Sequence, residues 1–273
     1  MKKLNNMNEE NKYNILLIIT DQERNNEWIP ESVNLPGREK LKSRSLSFNN
    51  HYTHTSPCSP SRATIFTGKY IHQHGVKENS STNNNTQLNT GYLTLGKSLK
   101  DLGYYTAYKG KWHLQSKPQP QMEEFGFADW FGNDMFFWGL PNSGTEYDPL
   151  IYKETYQWLK NHSHDKKPYM NCSQITKSLS SHTDLARTII DLAGGSDHQL
   201  ENFEGKSLTR LLNDPSKTVR NSVYFAQEWP WYPGVEKVRY ANTGYFDGKI
   251  NYSRYYGIGG GVTNLGLKNN KKM

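Results

Sequence analysis

The apolar positions of the first half of the chain alternate between a strand pattern and a helical pattern. Residues 14–20 read Asn-Ile-Leu-Leu-Ile-Ile-Thr, a continuous apolar run that is typical of a strand buried on both faces of a parallel sheet. Leu95, Leu99 and Leu102 recur at helical spacing and predict a short amphipathic helix. Residues 104–114 then predict a second strand. Strands that alternate with helices indicate an α/β domain whose sheet is mostly parallel and flanked by helices.

The pattern changes in the last quarter of the chain. Before the change, Ser181 and Asp184 form a capping-box start for a helix that Gly194 ends. After residue 203, one helix near residues 207–212 precedes three short β-rich runs, which predict a smaller C-terminal antiparallel layer. These runs are residues 223–226, 238–242 and 249–256. We therefore divide the chain into an N-terminal domain at residues 12–200 and a C-terminal subdomain at residues 201–273.

The composition narrows the classes of partner. The 273 residues carry a net charge of +7 and a sequence pI of about 9.1, which favour anionic partners. No nucleic-acid recognition motif accompanies this charge, so nucleic acid is not an expected partner. No apolar stretch is long enough to cross a membrane, and the first apolar run ends in Asp21 without the small-residue cleavage site of a signal peptide, so we expect a cytoplasmic protein. The two cysteines, Cys58 and Cys172, do not form a disulfide framework.

The segment at residues 58–69 carries the most specific chemistry. It reads Cys-Ser-Pro-Ser-Arg-Ala-Thr-Ile-Phe-Thr-Gly-Lys, and its Ser-Pro-Ser start and Gly68 stop predict a short helix with Cys58 at its N-terminal end. A helix N-terminus attracts anions and lowers the pKa of a thiol. Spacing alone leaves two alternatives for Cys58, a reactive group or a buried structural thiol.

Two further positions are candidates for binding a charged ligand. If residues 111–113 are extended, Lys111 and His113 lie on one face, about 7 Å apart, and can both donate to one anion. The alternative is that both are simply exposed. Asp21 follows the first apolar run, at the strand end where α/β sheets bind ligands, and a carboxylate suits a hard divalent cation. The alternative for Asp21 is a helix or turn cap.

Taken together, these three segments resemble the type I sulfatases of the alkaline-phosphatase superfamily. The resemblance implies an alkaline-phosphatase-like α/β fold. The matching residues fall in three motifs: Cys58, Pro60, Arg62, Thr67 and Gly68 in the first, residues 110–114 (Gly-Lys-Trp-His-Leu) in the second, and Thr20 and Asp21 in the third.

The resemblance also implies a set of roles. Cys58 is oxidised to formylglycine by a formylglycine-generating enzyme, and its hydrate attacks the sulfur of a sulfate ester. Arg62 holds that hydrate, Lys111 binds the sulfate and its bridging oxygen, and His113 stabilises the formylglycine hydroxyl. Asp21 and the modified Cys58 hold a divalent cation, for which calcium is expected. The implied substrate is a small sulfate ester or a sulfated glycan.

The chain departs from the family pattern in its middle. The second metal-binding Asp of the Thr-Asp-Asp strand is Gln22, and the later strand that supplies an Asp-Asn type pair is absent. The sequence passes almost directly from about residue 174 into the helix that Ser181 starts. Low turnover and weak metal binding are therefore expected. The alternatives are an inactive remnant that binds anions or interacts with other proteins, and a phosphate or phosphonate monoester hydrolase.

Overall fold

A computed structural model describes residues 12–21, 23, 28–80, 87–115, 122–131, 143–162, 174–229, 240–256 and 262–269. The helices are α1 (Pro36–Lys42), α2 (Cys58–Thr67), α3 (Ile71–His74), α4 (Leu95–Asp101), α5 (Ser143–Asn161), α6 (His182–Leu192), α7 (Asp197–Leu200) and α8 (Thr209–Asn213), with a 3₁₀ turn at Met122–Phe125. The strands are β1 (Leu46–Phe48), β2 (His51–Tyr52), β3 (Ala107–Lys109), β4 (Asp129–Phe131), β5 (Gln174–Thr176), β6 (Ser180–Ser181), β7 (Val223–Trp229), β8 (Tyr240–Phe246), β9 (Ile250–Tyr256) and β10 (Val262–Asn269).

The strands divide as the sequence predicts, into a parallel part and an antiparallel part. In the first, β1 pairs with β5, β2 with β6 and β3 with β4, each pair parallel. In the second, β7 to β10 form one antiparallel sheet in consecutive order. The two parts contact each other where the Ala226 amide in β7 donates to the His54 carbonyl, 3.0 Å away. The prediction of an α/β fold with a smaller C-terminal antiparallel layer is confirmed.

The main core lies between α2, α6 and a cluster of aromatic rings. Trp112 is its centre: its ring lies 4.9 Å from Phe66 and 5.0 Å from Phe125, centroid to centroid, and it is almost fully buried. Offset and edge-to-face aromatic packing of this kind adds to the free energy gained from burying apolar area. Because Phe66 belongs to α2, this core fixes the position of the Cys58 helix relative to Trp112.

Local sequence signals predicted three of the helices correctly. The segment at residues 58–69 forms α2, which ends at Gly68 in the left-handed conformation, with φ +61°. A Cβ atom at Gly68 would lie 2.7 Å from Cδ1 of Phe203, so glycine is required there for space as well as for conformation. The helix that Ser181 starts forms α6, and the Ser181 amide donates to Asp184 Oδ2 at 2.8 Å. The leucine-spaced helix forms α4, capped by Thr94.

The prediction of a buried strand at residues 14–20 is wrong. These residues form no strand pair with any other described segment, and Leu16 and Ile18 are exposed. A continuous apolar run becomes a buried strand only when neighbouring strands cover it, and none of the described elements covers the outer side of this run. The strand predicted at residues 104–114 is also shorter than expected, since only β3 is extended.

Among the helices that the structure describes, none has the length and apolar character needed to span a lipid bilayer.

We expect the buried ion pair between Arg220 and Asp184 to contribute strongly to stability. Asp184 is fully buried and pairs with Arg220 Nη2 while accepting the Lys206 amide at 2.7 Å. Replacing Arg220 by Met leaves a buried carboxylate without its countercharge, which should lower the free energy of unfolding by about 3–5 kcal/mol in a denaturant titration. Lys217→Met is the matched control, because Lys217 forms only an exposed ion pair and should leave the midpoint unchanged. A similar denaturation midpoint for Arg220→Met and Lys217→Met would contradict a strong contribution of the buried ion pair to stability.

Candidate active site

The start of α2 brings Cys58 and Arg62 to one face of the helix, since residues four apart lie one above the other. Cys58 is a free, half-buried cysteine at the first helical position. The next residue ties this end of the helix in place: the Ser59 amide donates to Asn79 Oδ1 at 3.1 Å, and the Ser59 hydroxyl donates to the His113 carbonyl. The N-terminus of α2 is thereby joined to the segment that carries Lys111 and His113.

Arg62 connects three separate parts of the chain. Its side chain is almost fully buried, and Nη1 donates to the Lys111 carbonyl at 2.6 Å and to the Tyr108 hydroxyl at 3.4 Å. Its Nη2 lies 3.6 Å from Asp21 Oδ1. A guanidinium presents several donors in one rigid plane, which allows a single side chain to hold all of these groups together.

The Asp21 carboxylate lies between two cations. Lys111 Nζ donates to Asp21 Oδ2 at 3.0 Å, while Arg62 approaches the other oxygen. Burial raises the pKa of Asp21, but the hydrogen bond and charge of Lys111, followed by Arg62, outweigh it and hold the pKa below its usual value. At neutral pH the cluster of Asp21, Arg62 and Lys111 therefore carries a net positive charge.

Residues 111–113 belong to no strand, and the backbone has positive φ at two positions, so the predicted extended geometry is wrong. His113 has φ +54°, and Gly110 has φ +111°. Trp112, between the two, is buried in the aromatic core. Lys111 and His113 consequently do not share a face through strand alternation. Both residues still lie at the site. Lys111 donates to the Asp21 carboxylate, and the backbone carbonyl of His113 accepts a hydrogen bond from the Ser59 hydroxyl.

His113 is a neutral imidazole at physiological pH. Burial, followed by the charges of Lys111 and Arg62, lowers the pKa of His113 to about 4. The charge of Asp21, followed by a hydrogen bond with the Ser80 backbone, opposes part of this shift. A neutral imidazole beside two cations can donate or accept a hydrogen bond without adding a third positive charge.

Sequence reasoning missed several residues that position the site. Tyr108 donates to the Lys111 carbonyl beside Arg62, and only its place in an aromatic-rich strand hinted at a packing role. The His182 ring nitrogen Nδ1 lies 3.1 Å from the hydroxyl of Ser61, on the Cys58 helix, and its ring is 5.1 Å from that of His51. Burial lowers the pKa of both histidines to about 4. At this position the sequence predicted only the start of a helix, through Ser181 and Asp184.

The described residues do not form a site that fits a divalent cation. No group of three or more His, Cys, Asp or Glu side chains that could hold a metal occurs within the described ranges. Calcium takes six to eight oxygen ligands, and both oxygens of Asp21 already face Lys111 or Arg62. Gln22 and Cys172 lie outside the described residues. Asp21 alone is therefore an insufficient ligand set.

Comparison with known proteins identifies the family. The sulfatase family model matches residues 13–175, more than half of the chain. The chain therefore belongs to the type I sulfatases of the alkaline-phosphatase superfamily, a family that generally uses a formylglycine and a divalent cation. The match ends close to the point at which the sequence departs from the family pattern.

Two curated relatives agree with this assignment. The chain is 34% identical to an N-acetylglucosamine-6-O-sulfatase of Bacteroides thetaiotaomicron over 144 residues, which cover 52% of this chain and 23% of the relative. It is 31% identical to arylsulfatase G of Rattus norvegicus over 144 residues, which cover 50% of this chain and 27% of the relative. The matched stretch thus spans about a quarter of the length of these relatives.

Solved structures share the fold. A phosphonate monoester hydrolase from Silicibacter pomeroyi superposes with a TM-score of 0.62 at 13% identity, covering 95% of this chain and 89% of that one. BT4656, in complex with D-glucosamine-2-N,6-O-disulfate, superposes with a TM-score of 0.56 at 14% identity, covering 88% and 86%. These similarities confirm the alkaline-phosphatase-like fold that the motifs implied.

We expect the Lys111–Asp21 pair to be visible in the titration of Asp21. Lys111→Met removes the strongest group that lowers the Asp21 pKa, so that pKa should rise in a carboxyl-carbon NMR titration. The pair stabilises the fold above the ordinary Asp pKa of about 3.9, and this contribution is lost as the pH falls through the lowered folded value. The difference in the free energy of unfolding between wild type and Lys111→Met should therefore disappear at acidic pH.

Lys109→Met is the matched control, because Lys109 pairs with Asp129 at 2.6 Å on the neighbouring strand. It should raise the pKa of Asp129 and leave Asp21 unchanged. An Asp21 titration that moves in Lys109→Met but not in Lys111→Met would contradict the geometry.

Proposed function

We propose that this chain carries the formylglycine and sulfate-binding part of a sulfuric ester hydrolase. The observation that carries the proposal is the arrangement of Arg62 and Lys111 beside the N-terminal end of the Cys58 helix, with neutral His113 tied to the same end. A net positive cluster at a helix N-terminus favours a tetrahedral anion. The family membership and the three motifs in order support the same reaction.

Each side chain has a task that follows from its position. Cys58, once converted to formylglycine, supplies a hydrated aldehyde whose hydroxyl is the nucleophile toward sulfur. Arg62 holds this group by charge-assisted hydrogen bonds and, being buried, keeps it oriented. Lys111 carries its charge at the end of a long side chain and binds the sulfate and its bridging oxygen. His113 stabilises the formylglycine hydroxyl as a neutral hydrogen-bonding partner.

The cation is a separate part of the proposal. Calcium is the ion we propose for a completed site, with Asp21 and the modified Cys58 as the ligands from this chain, because carboxylate and hydroxyl oxygens suit a hard cation. The described residues supply too few oxygens for this ion, so the binding and orienting roles above are assigned without it.

The substrate and the maturation partner follow from the family. The names of the relatives, an N-acetylglucosamine-6-O-sulfatase and an arylsulfatase, support a sulfated sugar or a small sulfate ester as substrate. A formylglycine-generating enzyme is the proposed partner for maturation, and the cytoplasm is the proposed location.

A second candidate function is binding of anions without turnover. The pairing of Asp21 with Lys111 and Arg62 favours anion binding. The cluster keeps a net positive charge, and the Asp21 carboxylate that a cation would need is already paired. Phosphate and phosphonate monoesters present the same tetrahedral anion, so they belong in the same assay.

An activity assay distinguishes a sulfuric ester hydrolase from a protein that binds anions without turnover. The chain is co-expressed with a formylglycine-generating enzyme, conversion of Cys58 is measured by intact mass, and slow hydrolysis of a chromogenic aryl sulfate is followed both with and without added calcium. Sulfuric ester hydrolysis should be abolished in Cys58→Ala and reduced by about 10²-fold or more in Lys111→Ala. Lys109→Ala, which pairs with Asp129 instead, should retain activity.

Full conversion of Cys58 with hydrolysis no greater than that of Cys58→Ala would overturn the hydrolase proposal for this chain. Sulfate binding that persists in that case and requires Lys111 would establish the anion-binding function. Faster turnover of a phosphonate monoester than of the aryl sulfate would reassign the substrate class.

A further inference from the structure

A polar cavity lies between the parallel part of the fold and the antiparallel sheet. Its volume of about 380 Å³ falls within the range of about 300–1,000 Å³ that small-molecule sites occupy. Four parts of the chain line it: the start of β2, the connection from β5 to β6, the residues just before β7, and the turn between β8 and β9. The cavity therefore has the size and the enclosure of a binding site.

The cavity is separate from the candidate active site. Asn50 precedes β2 and residues 177–179 precede β6, so two of its walls lie at the amino ends of this strand pair. Cys58 follows β2 at the other end of the strand. Among the described residues, the two sites share no lining side chain.

Hydrogen bonds hold two of the walls in place. Asn50 Nδ2 donates to the Lys177 carbonyl at 2.8 Å, and the Val219 amide donates to the Ser178 hydroxyl at 3.1 Å. The walls are thus joined to each other by contacts that involve no ligand. A preformed cavity of this kind loses little conformational entropy on binding, which favours its use as a site.

Arg220 places a buried cation in the cavity wall. Its side chain is almost fully buried, Nη2 pairs with Asp184, and Nη1 donates to the Ser222 carbonyl at 3.4 Å. Its Nε is buried and has no hydrogen-bond partner among the described residues. Folded proteins rarely leave a buried donor unpaired. The wall at Arg220 therefore favours a ligand that accepts hydrogen bonds.

The other charged groups of the lining differ in sign. Lys177 is exposed and adds a second cation. Asp247 Oδ1 accepts the amides of Ile250 at 2.7 Å and Lys249 at 2.9 Å, and these bonds hold the pKa of Asp247 below its usual value. At neutral pH the cavity therefore presents an ionised acceptor as well as the donors of Arg220 and Lys177.

Aromatic rings and amides complete the lining. The rings of Tyr52 and Phe246 pack at 5.4 Å, centroid to centroid, and Asn50 and Asn221 supply amide groups. A pyranose sugar has C–H faces that pack against rings, and hydroxyls that both donate and accept hydrogen bonds. An apolar ligand would leave the polar groups of the cavity unpaired, at a cost in free energy. The combination therefore fits a sugar.

We propose that this cavity binds a monosaccharide that carries an acidic group. Lys177 and Arg220 hold the acidic group by charge-assisted hydrogen bonds, while Asp247 and the asparagine amides bind the hydroxyls. The pyranose ring packs against Tyr52 and Phe246. This binding site does not depend on the proposed hydrolase function, because it uses none of the residues of that site.

The probes are glucuronate, glucose 6-sulfate and glucose, each titrated into the full chain. Binding is measured by calorimetry and by the NMR shifts of the asparagine side-chain amides. We expect saturable one-to-one binding of an acidic sugar, about tenfold or more tighter than that of glucose, because hydrogen bonds to charged groups are the stronger ones. The tighter of the two acidic sugars identifies the acidic group as carboxylate or sulfate.

Variants on two walls test the assignment. Lys177→Met should weaken binding of the acidic sugar about tenfold, and Asn221→Ala about threefold, because the first loses a charged hydrogen bond and the second a neutral one. Lys153→Met is the matched control, since Lys153 is exposed on α5 and its loss changes the net charge equally. Circular dichroism verifies that each exposed substitution leaves the fold intact.

Absence of saturable binding of both acidic sugars would overturn the proposal, as would equal affinity for glucose or unchanged affinity in Lys177→Met. Loss of binding in Lys111→Met but not in Lys177→Met would assign the sugar to the candidate active site and would also overturn it. Cys58→Ala should bind as wild type does. Sugar binding that requires Lys177, in a chain that hydrolyses no sulfate ester, supports the cavity and counts only against the proposed function.

Discussion

The candidate site depends on the buried guanidinium of Arg62. It joins the Cys58 helix to the Lys111 carbonyl, to the Tyr108 hydroxyl and to the Asp21 carboxylate. A buried cation is stable only where its donors are satisfied and its charge is opposed. These contacts meet both conditions and, in doing so, hold three distant parts of the sequence at one place. The contacts of Arg62 therefore explain why Asp21 and Lys111, which lie far apart in the sequence, meet beside the Cys58 helix.

Packing in the aromatic core also stabilises this arrangement. Trp112 and Phe66 pack against each other, which fixes the segment that carries Lys111 against the helix that carries Cys58. The anion-binding side of the site is thus held by a well-packed core, whereas Asp21 follows a segment whose outer side is exposed. Among the described residues, Arg62 and Trp112 are therefore buried, whereas Leu16 and Ile18, which precede Asp21, are exposed.

Sequence predicted the features that depend on local interactions. Helix α2 with its Gly68 stop, and helix α6 with its Ser181–Asp184 capping box, follow from signals within a few residues, and both are confirmed. The run at residues 14–20 failed as a strand because a strand depends on neighbours that its own sequence does not contain. The positive φ of His113 and the positions of Tyr108 and His182 depend on contacts across the fold, so none of them was visible in the sequence pattern.

The described residues of this chain hold an anion-binding cluster and supply too few ligands for a divalent cation. Calorimetric titration of the formylglycine-containing chain with calcium tests this claim most directly. The account predicts no saturable heat of binding at concentrations that fill protein calcium sites, and the same trace for Asp21→Asn. Saturable binding by the chain alone that Asp21→Asn abolishes would contradict the account, because it would show that the site is already complete.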